Sequence, residues 1–208
     1  FSHEDFDVGG VQESSMNLVP SVTWSKTRAV TDDFSQSGFS IQYRIEGALD
    51  HLLSQTDFIQ AYSNDKLIIG LNPQWRVLTR VELGATLTPS AADLPASFRF
   101  FTGGDSSIRG FAFEDLGPTD AAGNLIGGRY LAVGSLELER HIWGKWSGAL
   151  FSDFGNAFDP DYNNQLAYSA GLGARWQSPV GPLRIDLAQA LSHDGAPWRL
   201  HLMVGAQF

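Results

Sequence analysis

Residues 39–49 read FSIQYRIEGAL and alternate between apolar and polar side chains. One face of a strand here would carry Phe39, Ile41, Tyr43, Ile45 and Leu49, and the other would carry Ser40, Gln42, Arg44 and Glu46. Because successive side chains of a strand point to opposite faces, this period of two predicts a β-strand with one apolar and one polar face. A soluble sandwich can show the same period, so the stretch leaves the surroundings of the strand open.

The same alternation recurs along the whole chain. It predicts nine strands, over residues 17–27, 39–49, 56–71, 75–87, 129–141, 146–155, 168–176, 183–187 and 198–208. Residues 1–8 are predicted to be the end of a tenth strand, and residues 9–16 a polar loop. Short connections at 71–75, 142–145 and 178–182 alternate with longer ones at 50–55, 89–128, 156–165 and 192–197, and only the connection at 28–38 departs from this order. Short turns on one side and long loops on the other are typical of an outer-membrane barrel.

Composition narrows the class of protein further. The 208 residues suit one domain or a piece of a larger protein, and a start at Phe1 without an initiator Met favours a piece. A net charge of −9 with no basic stripe argues against a nucleic-acid partner. The absence of Cys excludes disulfides and thiolate metal sites. No run of about 20 apolar residues is present, which excludes transmembrane helices, whereas alternating strands suit an all-β transmembrane antiparallel barrel.

The predicted connection 89–128 is unusually long and contains the stretch 98–113, FRFFTGGDSSIRGFAF. Loops beyond about 12–15 residues are usually either functional or disordered. Five Phe side chains, at positions 98, 100, 101, 111 and 113, argue against disorder and predict a loop that folds inward. Gly103, Gly104 and Asp105 are turn-forming residues, so we expect a compact tip that presents Arg109.

Several segments, in order, resemble a known family. FFTGGDSSIRGF at 100–111, LGP at 116–118, GSLELE at 134–139, GALFSDFGNAF at 148–158, GLGARWQSPVGPLRIDLA at 171–188 and a terminal Phe are similar to the carboxy-terminal barrel of the outer-membrane assembly superfamily that includes BamA, TamA and the two-partner secretion transporters. The loop, with Leu94-Pro95 before it, most resembles the TamA branch. The resemblance covers nearly the whole chain.

This resemblance implies a barrel of sixteen strands, preceded by periplasmic POTRA domains, whose sixth extracellular loop folds into the lumen. The chain would then be a surface antigen-like barrel fragment, residues 1–208, that holds about nine to ten carboxy-terminal strands. Residues 89–128 would be the lumenal loop, and the POTRA domains would lie outside this sequence. Whether such a fragment closes on itself is left open.

Arg109 is the residue with the clearest chemical role. Inside a lumen its cation needs acidic partners, and the resemblance points to Asp153 and Glu137 within a lock that also includes Gly110 and Phe111. Strand parity independently places both carboxylates on polar faces. The planar guanidinium can bridge two carboxylates at once. A static latch and a moving switch would need the same contacts, and both remain open.

Three further predictions concern the strands. Glu46, Arg76, Arg80 and Glu82 could line the lumen, but a solvated face is favoured. The six Trp residues fall near predicted strand ends, as in an aromatic belt. Trp198 begins the last strand, which would form one side of the barrel seam. Phe208 resembles the terminal aromatic signal of barrel proteins, whereas Gly205 with Gln207 matches the usual ending only in part.

An enzyme is not expected. The five His residues show no metal-ligand spacing, and there is no Gly-x-Ser-x-Gly nucleophile motif, so neither a metal nor another cofactor is predicted. The resemblance instead implies a protein of the bacterial outer membrane that inserts or secretes β-barrel and autotransporter clients. Its implied partners are the lipid bilayer and a TamB-like periplasmic protein, with lipid transfer as a further role. A secretion transporter that conducts an unfolded passenger and a passive pore are the alternatives.

Overall fold

The computed structural model describes residues 2–8, 11–29, 34–49, 56–89, 94–162, 165–179 and 181–205. Apart from one turn of 3₁₀ helix at Ala96–Phe98, its regular elements are strands. These are β1 (Ser2–Val8), β2 (Val11–Asn17), β3 (Ser21–Arg28), β4 (Gly38–Ala48), β5 (Phe58–Asn72), β6 (Trp75–Leu87), β7 (Tyr130–Trp143), β8 (Trp146–Phe158), β9 (Ala167–Ser178), β10 (Gly181–Gln189) and β11 (Trp198–Val204). No helix in the described ranges is long and apolar enough to cross a membrane.

Strands β3 to β11 form one antiparallel sheet in which each strand pairs with the next in sequence. This order is the simplest way to connect strands by hairpins, because sequential strands then lie side by side. Within the described residues β3 and β11 do not pair, so the sheet has two free edges. The all-β prediction and the nine antiparallel strands are confirmed.

The amino-terminal residues depart from the prediction. Residues 9–16 were expected to form a polar loop, but Val11–Asn17 is a strand that pairs with β1 from Val8↔Val11 to Ser2↔Asn17. The loop prediction is wrong because VQESSMN is polar and alternates weakly, whereas an antiparallel partner satisfies its backbone groups whatever its side chains are. This hairpin is separate from the nine-stranded sheet, so β1 is not a tenth strand of that sheet.

Tight turns and long loops lie at opposite ends of the large sheet. Pro73 with Gln74 and Gly144 with Lys145 make two-residue turns, whereas about forty residues connect β6 to β7. Four Trp residues lie at the tight-turn end, namely Trp75, Trp143, Trp146 and Trp176. Trp146 and Trp176 stack with ring centroids 5.8 Å apart. A girdle of aromatic rings at a strand end is typical of a barrel at the membrane interface.

The two faces of the sheet show the reverse of a soluble protein's polarity. Large apolar side chains in the middle of strands are exposed, among them Leu136, Leu150, Leu172, Leu200 and Leu202. The opposite face buries charged side chains, among them Arg76, Glu137, Glu139, Asp153 and Asp186. Large apolar side chains are unfavourable when they are exposed to water. Charged side chains are unfavourable when they are buried in a dry apolar core. A sheet whose apolar face meets lipid and whose polar face lines the lumen satisfies both.

The connection between β6 and β7 folds onto the polar face. Phe100, Ile108 and Phe111 from this loop form a buried cluster with strand residues that include Leu131 and Val133. Phe113 departs from the inward prediction, since its side chain is 74% exposed. The next residue, Glu114, has a left-handed φ of 52°, and residues 113–115 are exposed. The chain then returns to the loop, since Leu116 pairs with Thr102 and Pro118 and Ile126 are buried.

Candidate functional site

The tip of the loop is built by glycines. Gly103, Gly104 and Gly110 have φ values of 105°, 94° and 97°, which residues with a Cβ rarely adopt. Antiparallel bridges at Phe100↔Gly128 and Thr102↔Leu116 close the loop above the tip. The backbone N–H of Ser107 then donates to the Gly104 carbonyl, 3.2 Å away. The result is a compact turn that directs residues 107–110 towards the sheet.

Arg109 lies between the two carboxylates that the sequence singled out. Its side chain is 2% exposed. Nε and Nη2 donate to the two oxygens of Asp153 at 2.7 and 2.8 Å, and Nη1 donates to Glu137 at 2.7 Å. The backbone N–H of Arg109 also donates to Asp153 at 3.0 Å. The structure therefore brings Arg109, Asp153 and Glu137 together, while their role as a lock stays a prediction.

Three further groups complete the surroundings of this guanidinium, and sequence analysis missed them. Nη1 also donates to Asp186 on β10 at 3.1 Å, and Nη2 donates to the Ser135 hydroxyl at 3.3 Å. The ring of Phe151 lies beneath the cation, with 3.4 Å from Cζ to the ring centroid. Every N–H of the Arg109 side chain thus has an acceptor, which lowers the cost of burying its charge.

The contacts of Arg109 are part of a larger cluster of buried ions. Arg175 donates to Glu137 at 2.6 Å, to Asp186 at 2.5 Å and to Glu139 at 3.3 Å. Arg76 and Arg184 add pairs with Glu139 at 2.5 Å and with Glu137 at 3.2 Å. Four arginines, at 76, 109, 175 and 184, thus face four carboxylates, at 137, 139, 153 and 186. The formal charges of the cluster cancel, as a poorly solvated site requires.

Gly173 on β9 provides the space for this cluster. A Cβ at this position would collide with the carboxylate of Asp186 and with the guanidinium of Arg175. Gly173 is paired with Asp186 on one side and with Ala149 on the other. Small residues on β8 and β9 therefore leave room in which long side chains from β7 and β10 meet. This is a steric reason for the Gly-x-Gly-x-Arg order of the sequence at 171–175.

The prediction of a solvated face is wrong for two of the residues to which it applied. Arg76 and Glu82 are buried, the former in its pair with Glu139 and the latter in a hydrogen bond from Asn64. The guanidinium of Arg80 donates to the backbone carbonyl of Ser107 in the loop tip. The loop covers this part of the polar face, which the strand sequences alone do not reveal.

The last strand of the chain also contacts the loop tip. The backbone N–H of Gly110 donates to Nε2 of His201 on β11, 2.8 Å away. The other ring nitrogen, Nδ1, is hydrogen-bonded to the carboxylate of Asp105. Parity placed His201 on the polar face of its strand, but nothing in the sequence indicated that this strand reaches the turn at Gly103 and Gly104.

Of the three residues singled out for the seam and the terminal signal, Trp198 and Gly205 are described. Trp198 begins β11 opposite Gln189 and is exposed. Gly205 follows the last residue of β11, with a φ of 144° and an N–H that donates to the Pro182 carbonyl at 3.0 Å. Phe208, the predicted terminal signal, lies outside the described residues. Neither Trp198 nor Gly205 contributes to the buried ion cluster.

The outer ends of β7 and β8 carry a second, separate ion pair. Arg129 donates to both oxygens of Asp159, at 2.8 and 2.7 Å, and to Asp161 at 2.6 Å. Burial by itself would raise the pKa of Asp159, but the hydrogen bonds from Arg129 and the Asp161 backbone, with the charge of Arg129, lower it overall. This pair joins the end of the long loop to the next hairpin loop.

Among the described side chains no group of three or more His, Cys, Asp or Glu is arranged to hold a metal ion. The carboxylates of the cluster are instead occupied by arginine. The ion cluster holds the loop that contains Arg109 against strands β7, β8 and β10 of the sheet.

Comparison with known proteins assigns this fold. The Omp85 superfamily domain matches residues 13–208, which is nearly the whole chain. The chain belongs to the Omp85 superfamily. Omp85 relatives include the outer membrane protein assembly factor BamA of Nitratidesulfovibrio vulgaris (strain Hildenborough), 35% identical over 138 residues, which cover 62% of this chain and 17% of that protein. A second is the chloroplastic outer envelope protein 80 of Arabidopsis thaliana, 33% identical over 117 residues, covering 51% of this chain and 14% of that protein.

A solved Omp85 structure matches the fold. The crystal structure of BamA from Haemophilus ducreyi lacking POTRA domains 1–3 aligns with a TM-score of 0.71 and 21% identity, over 95% of this chain and 44% of that one. The nine antiparallel strands match the carboxy-terminal portion of that barrel. The chain spans less than a fifth of the length of the two curated relatives.

Proposed function

We propose that this chain is the carboxy-terminal part of a non-enzymatic outer-membrane factor that assembles or translocates β-barrel client proteins. The match of residues 13–208 to the Omp85 superfamily domain supports this function most directly, and β11 is the strand through which a client could pair. Within the described residues β11 pairs with β10 alone, so its other side presents backbone N–H and C=O groups without strand partners. The similarity to a BamA assembly factor points to the same class of activity.

A free edge of this kind can act on a client by adding a strand to the sheet. Unpaired backbone groups in lipid are costly, so an incoming strand that satisfies them is held by main-chain hydrogen bonds whatever its sequence. In a complete barrel β11 would pair with the first strand, and separation of the two would expose this edge. Leu200, Leu202 and Val204 on β11 face outward and would keep such a client in contact with lipid.

The loop that Arg109 anchors would set the shape of the lumen during this exchange. It packs on the polar face of the sheet, so a passenger moving along that face would have to pass beside the loop or displace it. A latch that stays closed and a switch that opens would both use the Arg109 cluster. In either case the loop holds β7, β8 and β10 together while the edge is in use.

We further propose a TamA-like role within the superfamily, in the outer membrane of a bacterium. The loop sequence RFFTGGDSSIRGF, with Leu94-Pro95 before it, supports this assignment. Such a role would include a TamB-like periplasmic partner, autotransporter clients and participation in lipid transfer. Affinity purification of the whole protein from cross-linked cell envelopes tests the assignment. Recovery of a periplasm-spanning TamB-like protein is expected, and its consistent absence would leave a BamA-like role in its place.

A disulfide across the proposed seam tests the assembly function, and the chain has no Cys to interfere. One cysteine would replace Leu202 on β11, and the other would be placed opposite it on the first strand of the complete barrel. Oxidation is expected to block client insertion into vesicles, and reduction should restore it. The matched control is a disulfide between Leu187→Cys and Leu200→Cys, which face each other in the existing β10–β11 pair and need not separate.

The same experiment distinguishes the alternatives. A transporter that conducts an unfolded passenger through its lumen, or a passive pore, would continue to work with the seam closed. Full activity in the oxidised protein would therefore exclude the gate and favour lumenal passage. Single-channel conductance of the same sample would then separate a transporter from a permanently open pore.

A further inference from the structure

His201 connects the last strand of the sheet to both sides of the loop tip. On one side its Nε2 accepts the backbone N–H of Gly110, the residue next to Arg109. On the other, its Nδ1 meets the carboxylate of Asp105 in the glycine turn. The side chain of His201 is 4% exposed and that of Asp105 is 43% exposed. The imidazole therefore lies between two loop segments five residues apart.

The two contacts define the chemical state of the ring. Because Nε2 accepts a hydrogen bond from an amide, it has no proton, and a neutral imidazole then has its proton on Nδ1. That proton is donated to the Asp105 carboxylate. A second carboxylate, Asp186, lies directly opposite His201 on β10, but it is occupied by Arg109 and Arg175. His201 thus acts as a neutral bridge, with one donor and one acceptor, beside the ion cluster.

We propose that His201 is a positioning residue that couples the Arg109 loop to β11, the strand at the free edge of the sheet. If β11 moves, the ring leaves both Asp105 and the Gly110 amide, and the buried amide next to Arg109 loses its acceptor. If the loop leaves the sheet, β11 loses a contact to the inner face. The local coupling follows from the geometry alone, whereas its use during client assembly rests on the proposed function.

Substitutions at His201 can separate the two hydrogen bonds. His201→Leu removes both, His201→Gln keeps an acceptor near the position of Nε2, and His201→Asn keeps a donor near the position of Nδ1. Asp105→Asn acts from the loop side at a partly exposed position, where the substitution changes little in size or packing. Met203→Leu is the matched control, because it lies on the same strand and face as His201 and changes no polar contact.

The measurement is the mobility of the loop tip in the whole protein in lipid vesicles. A nitroxide on Ser106→Cys, an exposed position in the tip, reports mobility by electron paramagnetic resonance. A second label on Leu202→Cys gives the distance from the tip to β11. In His201→Leu we expect the mobile population to rise at least about fivefold, because a buried amide is left without an acceptor. His201→Gln should restore most of the immobile signal, and Met203→Leu should not change it.

Equal mobility in His201→Leu, Asp105→Asn and the unsubstituted protein would overturn the proposal. So would a tip that becomes equally mobile in the Gln and Leu variants, since that result would indicate packing and not hydrogen bonding. Because the readout needs no client, its failure is distinct from a failure of the assembly function. If the coupling holds, client insertion measured on the same variants should fall in His201→Leu and recover in His201→Gln.

Discussion

Arg109 has three carboxylates, a hydroxyl and an aromatic ring around one planar cation, and this combination limits what could replace it. Arg and Lys both carry a positive charge, but Lys is a point charge that cannot donate in parallel to Asp153 while it also reaches Glu137 and Asp186. The cluster adds little net stability, because desolvation offsets the attraction between the ions. Its contribution is specificity, because one position of the loop satisfies all of these contacts and any other position leaves buried charges unpaired.

Arg109→Met should therefore release the loop more completely than Arg109→Lys. The Met variant leaves the cluster with an excess of negative charge, and loss of one member of a buried ion set costs about 3–5 kcal/mol. Hydrogen exchange of residues 98–113 in vesicles measures the change. Arg28→Met, at an exposed arginine on β3, is the control and should leave exchange unchanged. Equal protection in both Arg109 variants would contradict the role assigned to this side chain.

Gly110 should tolerate a methyl group far less well than Gly123. Both have positive φ values, 97° and 86°, so Ala strains the backbone at each of them. A Cβ at Gly110 would also lie 3.1 Å from the Ala190 nitrogen, whereas a Cβ at Gly123 would meet nothing within 4 Å. We expect Gly110→Ala to lower the thermal midpoint of loop release and Gly123→Ala to change it much less. Similar losses would mean that strain, and not the close approach, dominates.

Part of this site could be predicted from the sequence. Parity placed Glu137 and Asp153 on the polar face, and the resemblance connected them to Arg109. Asp186 and Arg175 showed the same parity, but parity does not reveal which residues on non-adjacent strands meet when a sheet curves. His201 was missed for the same reason, since it is 91 residues from Gly110 in the chain and meets it only through the fold.

At the scale of elements, a strand could be predicted where the sequence alternates between apolar and polar residues. A strand whose sequence is polar on both faces was missed. Residues 39–49 gave β4 within one residue at each end. The polar sequence of β2 gave no such signal, and only its backbone register with β1 identifies it as a strand. The turn at the loop tip could be expected from its glycines, while the exposure of Phe113, next to the left-handed Glu114, follows no pattern in the sequence.

The ion pair between the loops after β6 and β8 should respond to acid. The folded pKa of Asp159 is below its ordinary value near 4, so its stabilising effect is complete above that value and is lost as the pH falls through the lowered pKa. Hydrogen exchange of residues 159–162, corrected for the intrinsic pH dependence, should be constant from pH 8 to about 5 and rise below about 4. Asp159→Asn should abolish this step, and Asp194→Asn in the loop after β10 should retain it. A step that survives in Asp159→Asn would assign it to another group.

At the scale of the whole molecule, polarity is inverted: apolar side chains lie outside and a neutral set of charges lies inside. An outer face in contact with lipid explains three features together: the buried ion cluster, the glycines of β9 that make room for it, and the aromatic girdle. A soluble sheet with this outer face would present an adhesive apolar surface far larger than monomers tolerate. The lipid assignment therefore makes a quantitative prediction about substitutions on a single strand.

Leu136 and Ile142 lie on the outer face of β7, 54% and 60% exposed, the first near the middle of the strand and the second near its tight-turn end. In a soluble protein Arg at either exposed position would change stability by less than about 0.5 kcal/mol. In a membrane, Leu136→Arg should cost about 2–4 kcal/mol and Ile142→Arg about 0–1 kcal/mol, because the penalty depends on depth. Urea unfolding of the whole protein from lipid vesicles measures both. A negligible cost at Leu136, or equal costs at the two positions, would contradict a spanning orientation of β7, whereas the expected gradient would locate the centre of the bilayer along this strand.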